Sequence, residues 1–203
     1  MSEGHSKPVI GLAGGIGSGK SAVAAILAEL GCVVCDSDEL GRAALTDPAI
    51  RDELVSWWGR GILDEAGEIS RSAVGAIVFE DPEQRGRLEG LTHPWIGQRR
   101  REQFASAGPD APALVIDAPL LFEANLDRIC DAVIFVEADR SVRLERVGRA
   151  RGWDEAELKQ REDCQLPLDV KREKADYVIS NNRELTALHK QVSRVLAEII
   201  ASS

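Results

Sequence analysis

Five short apolar runs punctuate this chain, and between them the apolar positions recur at helical spacing. The runs predict buried strands at residues 8–13, 32–36, 112–117, 132–137 and 176–180. Residues 22–30, rich in Ala and Leu, predict a helix soon after the first strand, with Gly31 placed to end it. Near the C-terminus, Leu185, Leu188, Val192, Val195, Leu196 and Ile199 form one apolar stripe, the mark of a helix that packs on a sheet. Strands alternating with helices in this way predict an α/β fold around an open parallel sheet.

Between the second and third strands the pattern is helical for about residues 47–104. Ile50, Leu54, Trp57 and Trp58 make one stripe. Gly59, Gly61 and Gly67 break the chain, residues 71–79 resume it, and Pro82 opens a long segment through Leu88, Leu91 and Ile96. A helical excursion at this place in such a sheet predicts a substrate-binding insertion. Trp57, Trp58 and Trp95 suit either the insertion's core or stacking on a ligand. Proline disfavours helical geometry at the residue before it, so His93-Pro94 predicts a kink or helix boundary with the imidazole turned outward.

The chemistry concentrates where the first strand hands over to the first helix. Gly14, Gly15, Ile16, Gly17, Ser18, Gly19, Lys20 and Ser21 fit G-x-x-x-x-G-K-[ST] in the strand-to-helix context that the motif requires. Glycines let the backbone curl its N–H groups around phosphate oxygens, and the helix start aims its positive dipole end at the same anion. Lys20 is placed for the β- and γ-phosphates and Ser21 for Mg2+. The second strand ends in Asp36-Ser37-Asp38, at the carboxyl edge where open parallel sheets bind ligands. Ser37 or Asp38 equally suits a helix N-cap; next to a phosphate loop, a functional Asp38 is the expectation. The third strand closes on Asp117, the position of an acid that holds a metal-bound water. Arg143, Arg146 and Arg149 recur every three residues, near one helix face, with charge suited to a phosphoryl group; Glu145, Asp154, Glu155 and Glu157 are alternative partners.

Composition narrows the possibilities. Of the 203 residues, 44% are hydrophobic and 29% charged, an ordinary globular balance. The formal charge of −9 argues against a general nucleic-acid binder, so phosphate must be bound locally. No apolar run suits a membrane span and residues 1–7 lack the apolar core of a signal peptide, so a cytoplasmic protein without a membrane partner is expected. Cys32 and Cys35 form a C-x-x-C, but strand positions i and i+3 face opposite sides and no second pair follows. The four cysteines are therefore expected to be structural and buried.

The chain resembles the dephospho-coenzyme A kinase family along nearly its whole length. The resemblance rests on the phosphate loop, Asp36-Ser37-Asp38, Gly67 with Arg71, Leu88-Glu89 before His93-Pro94, the run Asp117-Ala118-Pro119-Leu120-Leu121-Phe122-Glu123, Arg161 with Gln165, and residues 175–182. Ala13 stands where the family usually has threonine and Ser37 where alanine is common. The resemblance implies a P-loop kinase similar to nucleoside monophosphate kinases, with a five-stranded parallel core at about residues 8–46, 110–138 and 175–203. It further implies a helical acceptor-binding insertion at about 47–109 and a lid at about 139–174. The implied reaction is ATP-dependent phosphorylation of the ribose 3′-hydroxyl of dephospho-CoA, with Asp38 as general base. Lys20, Arg146 and Arg149 would be catalytic. Gly15, Ile16, Gly17, Ser18, Gly19, Lys20, Ser21, Ala22, Arg143 and Asn181 would bind ATP. Asp36, Arg71, His93, Pro119, Leu120 and Glu123 would bind the acceptor, and Ser21, with Asp117 through water, would hold Mg2+. A monomer is expected. Another small-molecule kinase on this core, resembling shikimate or nucleoside monophosphate kinases, is the alternative, although no Gly-Gly-Gly-type run follows the third strand. A GTP-dependent switch is the more distant one, and the chain has no Asn-Lys-x-Asp motif.

Overall fold

The computed structural model describes residues 7–182 and 184–203; the signal-peptide expectation therefore falls mostly outside the described residues. In chain order the elements are β1 (Val9–Gly14), α1 (Lys20–Glu29), β2 (Val33–Asp36), α2 (Ser37–Ala44), α3 (Pro48–Trp58), α4 (Arg71–Glu80) and α5 (Pro82–Ala105). There follow β3 (Leu114–Asp117), β4 (Ala132–Glu137), α6 (Arg140–Arg151), α7 (Glu155–Glu162), α8 (Leu168–Glu173), β5 (Tyr177–Ser180) and α9 (Leu185–Ser202). Two compact units result. One runs up to Asp36 and resumes from Ala107 to Ser203; the other is Ser37–Ser106.

The first unit is a parallel sheet in the order β2-β3-β1-β4-β5. One face is covered by α1 and α9: Val23, Ile26 and Leu27 from α1 and Leu188, Val192 and Leu196 from α9 share a buried cluster with Ile10, Leu12, Val115, Ile134 and Ile179. Burying such side chains is worth about 1.5–3 kcal/mol each, which is why the apolar runs and the C-terminal stripe were legible in the sequence. Cys32 lies against the same cluster, and desolvation pushes its thiol up to about 11 despite a hydrogen bond with the Ala113 backbone. Cys35 is also buried, whereas Cys130 is half-buried and Cys164 exposed, so the expectation of buried cysteines holds for two of the four.

The second unit is helical, and it begins at Ser37 rather than near residue 47, because α2 packs on α5 within it. Asp47 caps α3 by accepting from the Ala49 and Ile50 amides, and Asp81 caps α5, each followed by Pro at the first helical position. Ala44, Ile50, Leu54, Ile62, Ile69 and Val74 form its core. Of the kink or helix boundary expected at His93-Pro94, the boundary does not occur: α5 continues past Pro94 to Ala105. Leu88 and Leu91 before the proline and Trp95 and Ile96 after it pack on one core, which outweighs the local cost of about 3 kcal/mol for an interior proline. His93 is exposed on this helix, so its imidazole does point outward.

The tryptophans settle on the core side of their alternatives. Trp57 donates to Glu53 at 2.8 Å, Trp58 to Gln84 at 2.8 Å and Trp95 to Asp47 at 2.9 Å. All three pack against the helical core, with Arg87 stacked over Trp57 and Arg99 over Trp95.

Candidate active site

The phosphate loop is built by the local sequence. β1 delivers the chain at Gly14, the turn closes with the Ser18 amide donating to the Gly15 carbonyl at 3.0 Å, and α1 starts at Lys20. Gly17 and Gly19 hold φ of 78° and 86°, in the left-handed region. A Cβ on Gly17 would stand 2.8 Å from the Arg143 carbonyl, and one on Gly19 would collide with the Asn181 amide. These positions require glycine for both conformation and space. Gly19 offers no capping side chain and no acid occupies the first turn of α1, so the positive end of the helix dipole is left for an outside anion.

The carboxylates come from tertiary pairing. β2 and β3 run in register, setting Asp36 beside Asp117 at the carboxyl edge of the sheet. Asp117 is buried and its Oδ1 lies 2.5 Å from the Lys20 Nζ, so strand three's acid and the loop's lysine are ion-paired. Ser21 is exposed one residue further along α1. The Ser18 hydroxyl is buried with no protein hydrogen-bond partner. A cleft of about 260 Å3 opens beside the loop, lined among others by Gly15, Ser18, Val136, Arg143, Leu168 and Arg172. The donor set fits a nucleoside triphosphate and a hard cation: uncapped amides, one ammonium, an exposed hydroxyl and two adjacent carboxylates. A larger cleft, about 410 Å3, sits at the amino ends of β4 and β5, away from the chemistry. Its two carboxylates are already engaged, Asp131 by the Val9 amide and Asp176 by the Val133 amide.

Arginines from α6 brace the loop. Arg143, only 5% exposed, donates to the Ala138 and Ile16 carbonyls at 3.2 Å each and is ion-paired with Glu162. Arg146 donates to the Ser18 carbonyl at 3.1 Å and the Asn181 carbonyl at 2.9 Å, while the Asn181 side chain donates to the Ser18 carbonyl at 2.8 Å. Arg149, by contrast, is exposed and paired with Glu145 at 2.7 Å. A three-residue step falls about 60° short of a full helical turn, so the third arginine has rotated by about 120° from the first. The spacing thus brings two of the three to the loop. Arg140 also pairs with Glu162 and with Glu155, and those two hydrogen bonds raise its pKa despite some desolvation.

The segment after β3 is occupied as well. Glu123, expected at the acceptor, accepts from the Lys171 ammonium at 2.8 Å and from the Leu166 amide at 2.9 Å. Burial pushes the Glu123 carboxyl up, but the Lys171 hydrogen bond, the Leu166 amide, its own amide and the Lys171 charge together hold it below the usual range. Pro119 is half-buried, with its carbonyl 3.3 Å from the same ammonium, and Leu120 is exposed. In the helical unit, Asp38 lies in the first turn of α2, Arg71 opens α4 and His93 lies on α5, all three exposed. Sequence reasoning missed Glu162 and Lys171. Both lie in polar stretches that read as solvated helix, and no local pattern marks either one.

The family model described as dephospho-CoA kinase matches residues 8–187. A dephospho-CoA kinase of Synechococcus sp. is 41% identical over 189 residues, covering 92% of this chain and 94% of its own. The crystal structure of TT1252 from Thermus thermophilus has a TM-score of 0.85 at 32% identity, covering 96% of this chain and 98% of that one. A dephospho-CoA kinase from Campylobacter jejuni has a TM-score of 0.63 at 25% identity over the same shares.

Proposed function

The chain belongs to the dephospho-CoA kinase family, and on that premise we propose that it transfers the γ-phosphoryl group of ATP to the ribose 3′-hydroxyl of dephospho-CoA. The observation that carries this reading is the uncapped start of α1 beside the Lys20–Asp117 pair, an anion site with its own cation and a neighbouring acid. The phosphate loop and the start of α1, residues 15–22, cradle the phosphates through amides other than those of Ser18 and Ala22, which donate within the chain, and Lys20 exchanges its contact with Asp117 for β- and γ-phosphate oxygens. Ser21, and Asp117 through water, would hold Mg2+, which neutralises charge on the transferring group.

Arg143 and Arg146 keep the loop carbonyls turned away from the phosphates. Arg149 is the arginine left to reach the phosphoryl group. Its exposed pair with Glu145 belongs to a class worth about 0.3–0.5 kcal/mol, which a phosphate readily displaces. Asn181 bounds the adenine side. Arg71 and His93 are assigned to the acceptor within the helical unit and Asp36, Pro119 and Leu120 within the sheet unit, and Asp38 is assigned the proton of the 3′-hydroxyl. Residues 139–174 act as the lid that excludes water during transfer.

The deciding experiment is incubation with Mg·ATP and dephospho-CoA, with shikimate and nucleoside monophosphates in parallel. Coenzyme A carrying a new 3′-phosphate is expected, with little turnover of the others. ATP binding without coenzyme A formation would overturn the assignment.

A further inference from the structure

Lys171 is the most deeply buried charged side chain among the described residues, at 1% exposure, and none of the steps above uses it. An ammonium has three N–H donors and no acceptor capacity. Here three acceptors meet it: Glu123 Oε1 at 2.8 Å, Gln165 Oε1 at 3.2 Å and the Pro119 carbonyl at 3.3 Å. Two of these belong to the turn that follows Asp117, the acid paired with Lys20. The third belongs to the stretch leading into α8, whose Leu168 methyls stand about 3.0 Å from where a Cβ on Gly15 would be. The Leu166 amide closes the same ring by donating to Glu123.

A lone buried ammonium costs several kcal/mol unless it is paired and fully hydrogen-bonded. An apolar residue would hold a packed turn at less cost, so stability alone does not account for a lysine here. What the ammonium adds is direction, because three convergent hydrogen bonds fix where the backbone at Pro119 stands relative to the stretch against Gly15. We propose that Lys171 is a positioning residue for phosphoryl transfer, stapling the turn after Asp117 to the segment that packs on the phosphate loop. It acts through Asp117 and that turn, without touching substrate. The proposal rests on the phosphotransferase reading above, which the wild-type protein tests separately.

The experiment compares Lys171→Met, similar in length but uncharged, with the double variant Lys171→Met/Glu123→Gln, which also removes the carboxylate left unpaired. Melting temperature, kcat, KM for ATP and KM for dephospho-CoA are read for each. The single variant is expected to melt lower and to lose at least about tenfold in kcat, the scale of a small misplacement of reacting groups. The KM for ATP should move less than about threefold, since the loop amides remain. The double variant is expected to regain melting temperature but not kcat. Recovery of both would reduce Lys171 to charge balance and overturn the proposal, as would an unchanged kcat in the single variant. Should neither variant fold, Gln165→Leu removes only a neutral acceptor from the ammonium; a severalfold fall in kcat is then expected, and an unchanged kcat is the overturning result.

Discussion

The two units treat polar side chains differently. In the sheet unit Ser18, Asp117, Arg143, Lys171 and Asn181 are all buried, and four of them are tied by hydrogen bonds or ion pairs to the phosphate loop or the segments around it. In the helical unit only Thr92 is both polar and buried among the described residues, and its hydroxyl returns to its own helix at the Leu88 carbonyl. The candidate acceptor residues there, Asp38, Arg71 and His93, are exposed. The difference follows from the chemistry proposed for each. A transferring phosphoryl group needs dipoles already aimed and held in a low-dielectric setting, since reorganising them costs rate. The acceptor residues proposed in the helical unit lie at its surface, where a ligand can reach them.

The most severe test of that contrast is Lys20→Ala. It is expected to cost about 10³-fold in kcat/KM together with ATP affinity, because it removes the ammonium proposed to meet the β- and γ-phosphates. Unchanged steady-state kinetics would break the donor-side assignment. Asp38→Asn comes next, with kcat lower by about 10²-fold or more and ATP binding nearly intact in a calorimetric titration. Near-wild-type turnover would leave the helical unit without its proposed base. Arg149→Ala is expected to lower kcat about tenfold while leaving the melting temperature in place, since its present partner is a solvent-exposed carboxylate. Arg146→Ala should instead raise the ATP dissociation constant by loosening the Ser18 and Asn181 carbonyls. Equal effects from both would erase the distinction between bracing and reaching arginines.

The smallest effect belongs to the helical unit's cap. The Trp95 indole N–H is the main cause of an Asp47 pKa held below the usual range; burial opposes it, and the Ile50 and Ala49 amides and Arg99 add to it. Asp47 therefore contributes stability above its unfolded value of about 3.9, and that contribution fades as pH falls through the lower folded value. Asp47→Asn should melt slightly lower at neutral pH and show a shallower acid decline, followed by tryptophan fluorescence. An acid decline as steep as wild type would show that this cap is not what titrates.

What could be read early was whatever is local. Residues 14–21 specify their own turn, since glycine at 17 and 19 is demanded by the backbone, and the apolar runs name the strands because burial rewards them wherever the neighbours come from. Locality left two alternatives at Pro94, a kink or a boundary, and packing on both sides of the proline carried α5 past the boundary. At Arg149 the spacing alone did not say which arginines meet the loop: a repeat of three drifts around the helix, and Arg149 is exposed and paired with Glu145 while Arg143 and Arg146 reach the loop carbonyls.

The sequence by itself determined a phosphate-binding turn on a parallel α/β core and, through its ordered landmarks, the kinase family. Only the tertiary structure decided which charges are spent on which partners. Lys20 lies against Asp117, Arg143 against Glu162 and the loop carbonyls, and Lys171 against Glu123, each set of partners drawn from different elements of the fold. Charge carries no local signature of burial. A lysine in a polar stretch looks the same whether water or three fixed acceptors will surround it, and only folding places those acceptors.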